Sequence, residues 1–177
     1  MRDLLEVPAG RRAAIERLLA DLVPGERLAL STHINADGDG CGSEVALARL
    51  LRARGFTVWI VNPTPWPAMF RFLLGDDVQD RSAEGASALR AADRLVVLDI
   101  SDVKRLGVLA DTVRKLPRPP LVIDHHLPGE EPPGTLHVTD IDACATGELV
   151  FDLAQVARWE ITAPIATAPI ETAMPRS

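Results

Sequence analysis

RLALSTHINADGDGCGSEVALARLLRARGFTVWIV, residues 27–61, is the stretch that decides how this chain folds. Arg27–Ser31 (RLALS) is a short apolar run of strand length, and Thr57–Val61 (TVWIV) is a second. Between them Leu47, Leu50, Leu51 and Arg54 share one face of a helix, and Gly55 supplies the residue type that ends one. Strand, helix and strand in that order make a βαβ unit, whose two strands run parallel.

The pattern extends in both directions. Upstream, Ile15, Leu18, Leu19 and Leu22 fall at i, i+3, i+4 and i+7, which predicts an amphipathic helix over 10–22 stopped near Pro24 and Gly25. Downstream, Asn62–Pro67 (NPTPWP) reads as a proline-rich loop. Leu95–Leu98 and Leu121–Ile123 then supply two buried strands without polar alternation, as in a parallel sheet. Leu149, Val150, Leu153, Val156 and Ala157 line a last helix, after which ITAPIATAPIETAMPRS loses periodicity and gains prolines. The expectation is an α/β fold: a mostly parallel sheet flanked by helices, one catalytic domain over 1–160 and an irregular tail over 161–177. At 177 residues and 47% hydrophobic content, one such domain has enough apolar sequence for its core.

Nineteen Lys+Arg against 25 Asp+Glu leave a net charge of −6, so the surface lacks the positive field that gathers long duplex nucleic acid. A compact substrate fits better. The opening MRDLLEVPAGRRAAIERLL is charged throughout and reads as neither a signal peptide nor a membrane span, so the expected setting is cytoplasmic, without a membrane partner. Cys41 and Cys144 form no metal knuckle or disulfide framework and read as small buried fillers.

Chemistry concentrates at strand ends. His33, Asp37 and Asp39 follow RLALS, Asp99 follows LVVL, and Asp124-His125-His126 follows LVI. Ligands of open parallel sheets bind beyond the carboxyl ends of the strands, so these clusters are expected to converge. Singly, DGDG is an ordinary turn and Asp99 an ordinary helix cap. Jointly they hold three of the four histidines of the chain, and imidazole with carboxylate suits divalent metals. A carboxylate bridging two ions about 3.5–4 Å apart is the device of two-metal phosphoesterases, and Asp99 is the candidate bridge. Arg105 is a candidate phosphate clamp or a solvated helix-opening residue. Trp66, Phe70 and Phe72 read as core in preference to a base-stacking platform. Thr146-Gly147-Glu148 offers its amides to a phosphate or caps a helix, and His137, inside a short strand, reads as structural.

His33-x-x-x-Asp37-x-Asp39 followed by GCGS, then VVLDISDVKRLG, VIDHH and ACATGELV, resembles the DHH phosphoesterases over roughly residues 10–160. Within them it is most similar to the DHH/DHHA1 branch of oligoribonucleases that also dephosphorylate 3′-phosphoadenosine 5′-phosphate. The resemblance implies two ions, manganese first with Mg²⁺ or Co²⁺ as substitutes. His33 and Asp37 would hold one ion, Asp39 and His125 the other, and Asp99 would bridge them. Asp124 would orient its neighbouring histidine and His126 would contact the substrate phosphate. It implies attack of an activated water on phosphorus with no protein nucleophile. The implied substrates are short RNA oligonucleotides or a phosphorylated nucleotide, and a homodimer is compatible with the family.

The family pattern continues into a fourth aspartate motif and a second domain. After Asp152 this chain has no further aspartate, and Glu160 and Glu171 are its remaining acidic residues. The expectation is therefore a short form lacking the DHHA1 domain and weakly active. The alternatives are a catalytically deficient metal- or nucleotide-binding module and a manganese-dependent pyrophosphatase.

Overall fold

The computed structural model describes residues 6–163 and 165. Helix α1 (Ala9–Asp21) leads into β1 (Arg27–Ser31), α2 (Gly38–Arg52) and β2 (Thr57–Ile60). There follow α3 (Arg71–Leu74), β3 (Gln79–Asp80), α4 (Ala86–Arg90), β4 (Arg94–Leu98), α5 (Ala110–Val113), β5 (Leu121–Asp124), β6 (Leu136–Thr139) and α6 (Thr146–Val156). The strands lie in the order β3-β2-β1-β4-β5-β6, and every neighbouring pair is parallel. This is the doubly wound order, and the chain reverses its direction of travel across the sheet between β1 and β4. The crevice beyond the carboxyl ends of those two strands is the natural ligand position.

The central strands are apolar on both faces because both faces are covered. Leu28 and Leu30 of β1 and Val96 and Leu98 of β4 pack with helices α1, α2 and α6, while Ala29, Leu95 and Val97 point to the other side, against Leu89 of α4 and Val113 of α5. One glycine is dictated by packing on the first face. A Cβ on Gly40 would stand 2.7 Å from Thr32 Oγ1, so only glycine lets α2 come this close to the end of β1.

The expected helices and strands are present with boundaries shifted by a residue or two, and Arg54 lies beyond the end of α2. His137 sits in β6, its Nε2 2.8 Å from the Gly134 carbonyl oxygen. Two expectations need correction. Cys41 is buried but Cys144 is exposed, because it lies in the loop before α6, outside either core layer. Of the aromatic cluster only Trp66 is buried; Phe70 is half-buried against the core and Phe72 is 41% exposed, because this segment folds over the rim of the sheet. Of the tail expected over 161–177 only 161–163 and 165 are described, and Ile165 is buried in the first core. Among the described residues no helix is long and apolar enough to cross a membrane.

Candidate metal centre

Each strand end delivers its cluster to one place. His33 lies two residues past the end of β1. Asp37 caps α2, its carboxylate accepting from the backbone N–H of Asp39 at 3.0 Å and of Gly40 at 3.1 Å, which sets Asp39 in the first turn of that helix. Asp99 leaves β4 in the left-handed region at φ 61°, with its N–H donated to the Ile123 carbonyl. A non-glycine residue in that region costs about 1–3 kcal/mol, a strain that clusters at functional sites.

Asp99 is 2% exposed and presents its two oxygens to different partners. Oδ2 lies 3.4 Å from His33 Nε2, while Oδ1 lies 3.7 Å from His125 Nε2 and 3.6 Å from His126 Nδ1. His33 Nε2 also lies 3.7 Å from Asp37 Oδ1. Ligand atoms of His33, Asp37 and Asp99 fall within 4.8 Å of one another, as do those of Asp99, His125 and His126. The site has two lobes that share one carboxylate.

The donor set fits divalent cations. His33 donates Nδ1–H to the Ile34 carbonyl at 2.8 Å, which leaves Nε2 as the nitrogen aimed at Asp37 and Asp99. That Nε2 is buried and has no hydrogen-bond partner among the described residues. A buried imidazole nitrogen facing carboxylates at 3.4 and 3.7 Å is what a ligating histidine looks like with its backbone partner in place. His125 is held in the same way, its Nδ1 3.2 Å from the Ala143 carbonyl.

The charges are tuned by burial and by one another. The nearby Asp99 carboxylate raises the His33 pKa above its ordinary value, against the opposing effect of burial. Burial tends to raise the Asp99 carboxyl, but His33 and the Thr146 hydroxyl outweigh it and hold it low. Asp39 is pushed up by burial and then by the Asp99 charge, and its backbone donors offset this only in part. Crowded carboxylates of this kind are relieved by a cation.

Three supports of the site have partners that were not legible in the sequence. Thr146 Oγ donates to Asp99 Oδ1 at 2.9 Å. The amides of Thr146 and Gly147, at the N-terminus of α6, donate to Asp39 at 2.8 and 3.0 Å, and Ser43 Oγ adds a bond at 3.1 Å. The partner of these amides in this structure is a side-chain carboxylate of α2, which a helix N-terminus favours as it would favour phosphate. Asp39 reaches His125 at 3.5 Å, and His126 lies beside the same oxygen of Asp99, at 3.6 Å. Asp124 holds His126, two residues on, by a 2.7 Å bond to Nδ1, and not the adjacent His125. Arg105 is exposed beside the first lobe, its carbonyl accepting from Ile34 N–H at 2.9 Å.

Residues 27–174 match the DHH family, N-terminal domain. The chain is 33% identical over 156 residues to the bifunctional oligoribonuclease and PAP phosphatase NrnA of Thermus thermophilus, covering 85% of this chain and 44% of that protein. It is 27% identical over 169 residues to the protein of the same name from Mycoplasma pneumoniae, covering 89% and 48%. The chain therefore spans less than half the length of these curated relatives. Among solved structures, an exopolyphosphatase-related protein from Bacteroides fragilis superposes with a TM-score of 0.75 at 23% identity, over 91% of this chain and 48% of the other. RecJ of Thermus thermophilus in complex with Mn²⁺ gives 0.57 at 20% identity, over 93% and 24%. These two likenesses speak for the fold.

Proposed function

The chain belongs to the DHH family, and from that premise we propose that it carries the catalytic centre of a phosphoesterase that uses two divalent ions, manganese first. Its proposed substrates are short oligoribonucleotides and 3′-phosphoadenosine 5′-phosphate. The observation that carries this reading is the buried Asp99 carboxylate, whose two oxygens face His33 on one side and His125 and His126 on the other.

In this reading His33, Asp37 and Asp99 would hold one ion, and Asp39, Asp99 and His125 would hold the other. When bound, the ions supply Lewis acidity toward a phosphoryl group and lower the pKa of water. The protein's own part is positioning. Thr146 and the α6 amides hold Asp99 and Asp39 in place through hydrogen bonds of the protein itself. Asp124 accepts the Nδ1–H of His126, which leaves Nε2 as the nitrogen available to a phosphate oxygen. Arg105 is exposed and lies within electrostatic range of His33, close enough to be the candidate clamp for the same phosphate.

The test is hydrolysis of a diribonucleotide, 3′-phosphoadenosine 5′-phosphate and pyrophosphate with and without Mn²⁺. The expected result is Mn²⁺-dependent cleavage of the first two, abolished in Asp99→Asn. Cleavage of pyrophosphate alone would replace this reading with a pyrophosphatase. Metal binding without any turnover would replace it with a binding module.

A further inference from the structure

Glu44 lies on α2 and is fully buried, at 0% exposure, at the seam between that helix and the sheet. Its Oε2 accepts from Asn62 Nδ2 at 2.9 Å, and its Oε1 has no hydrogen-bond partner among the described residues. An apolar side chain would fill this place without the penalty of burying a half-satisfied acid. The position of Asn62 shows what the acid does.

Asn62, 2% exposed, stands just past the end of β2, where the parallel ladder between β1 and β2 gives out after the bond from Val61 N–H to the Leu30 carbonyl. Its side-chain Oδ1 accepts the N–H of Thr32 at 2.9 Å, the residue immediately before His33. Its own N–H is anchored on Ser82 Oγ at 2.8 Å. A side-chain amide has two ends, and Glu44 fixes which end faces Thr32 by taking the N–H₂. Glu44 sits one helical turn beyond Gly40, the glycine that lets α2 touch Thr32, so both act on the same short piece of backbone.

We propose that the Glu44–Asn62 pair is a positioning device for the candidate metal centre: it ties the end of β2 to α2 and locks the Thr32–His33 backbone, so that His33 Nε2 is aimed between Asp37 and Asp99. The proposal deepens the phosphoesterase reading by naming residues that act through His33 without touching the site. Burial favours the neutral form of Glu44, driving its carboxyl well above the ordinary range, and the Asn62 donor offsets this only in part. Glutamine at this position is then nearly isosteric and isoelectronic, whereas leucine keeps the volume and loses the acceptor.

Three variants of the full chain, Glu44→Gln, Glu44→Leu and Asn62→Ala, test this by amide hydrogen exchange at Thr32 in metal-free protein, Mn²⁺ titration calorimetry and thermal unfolding. Glu44→Leu and Asn62→Ala are expected to speed Thr32 exchange while leaving the β5 amides protected, and to weaken Mn²⁺ binding roughly tenfold. Glu44→Leu should do so with a Tm equal to or above that of the parent, a split that a purely structural acid would not produce. Glu44→Gln should retain both Thr32 protection and Mn²⁺ affinity. Should Glu44→Leu fail to fold, Asn62→Ala probes the same lock from its other side. Unchanged Thr32 exchange in both Glu44→Leu and Asn62→Ala, or a Glu44→Gln variant that behaves like Glu44→Leu, would overturn the proposal. Thr32 exchange is read without metal or substrate, so the device is judged separately from hydrolysis.

Discussion

Replacing Arg11 by methionine removes the cation that joins α1 to α6, and the cost follows from what it leaves behind. Its guanidinium, on a side chain only 5% exposed, bonds Asp152 and Glu148 at 2.6 Å each and Asp140 at 2.9 Å. Burial works against the charged form, but the bonds to Glu148, Asp152 and Asp140 more than offset it and hold the Arg11 pKa above its ordinary value. Asp152 is itself 10% exposed, so Arg11→Met strands a buried carboxylate, a loss of roughly 3–5 kcal/mol. Asp140 and Glu148, at 23% and 34% exposure, rehydrate and contribute the smaller share of the loss. In a chain of this size each kcal/mol moves Tm by roughly 2–4 °C, so a drop of roughly 6–20 °C is expected at neutral pH.

The sign with pH also follows. Burial raises the Glu148 carboxyl, but Arg11 and the Cys144 amide outweigh it and hold it below the ordinary glutamate value. A depressed folded pKa gives stability that is present above the unfolded value, about 4.3, and lost as pH falls through the folded one. The gap between parent and variant should therefore be full at neutral pH and narrow below about pH 4. Thermal unfolding followed by circular dichroism at neutral and acid pH reads both effects. A second change, Asp152→Leu, in the Arg11→Met background should recover part of the loss by removing the stranded charge. A neutral-pH Tm matching the parent, or a gap that does not shrink in acid, would refute the reasoning.

Asp99→Ala should weaken Mn²⁺ binding at both lobes and by more than Asp37→Ala, because it withdraws an oxygen from each; calorimetric stoichiometry and affinity decide it. His125→Ala should lose metal, whereas His126→Ala should lower turnover more than metal content, and equal metal loss in the two would contradict the assignment of His126 to phosphate. With one thiol exposed and one buried, a thiol reagent should label Cys144 alone in the native chain and Cys41 only after denaturation. The labelling should be slow, since the Glu148 side chain and then burial hold the Cys144 pKa above its ordinary value. Rapid native labelling of both thiols, counted by mass, would place Cys41 wrongly.

What the sequence determined by itself is local and periodic. Apolar runs without polar alternation marked buried parallel strands, and 3.6-residue spacing marked α1, α2 and α6. The strand-end rule then gathered His33, Asp99 and Asp124-His125-His126 from three separate segments. What only the tertiary structure decided are the contacts between elements whose partners have no sequence signature. Thr146 reaches Asp99 across 47 positions, and Arg11 reaches Asp152 across 141. Nothing local distinguishes that threonine from any helix-starting threonine, or that arginine from a solvated one on an amphipathic helix. The same holds for Asp124, whose choice of His126 over the adjacent His125 depends on the turn that leaves β5, and for Glu44, whose partner Asn62 lies 18 positions away, just past the end of β2. Periodicity tells which face of an element is covered. The identity of the side chain opposite is set by how sheet and helices pack, because hydrogen-bond partners across that seam are a property of the assembled geometry and not of either segment alone.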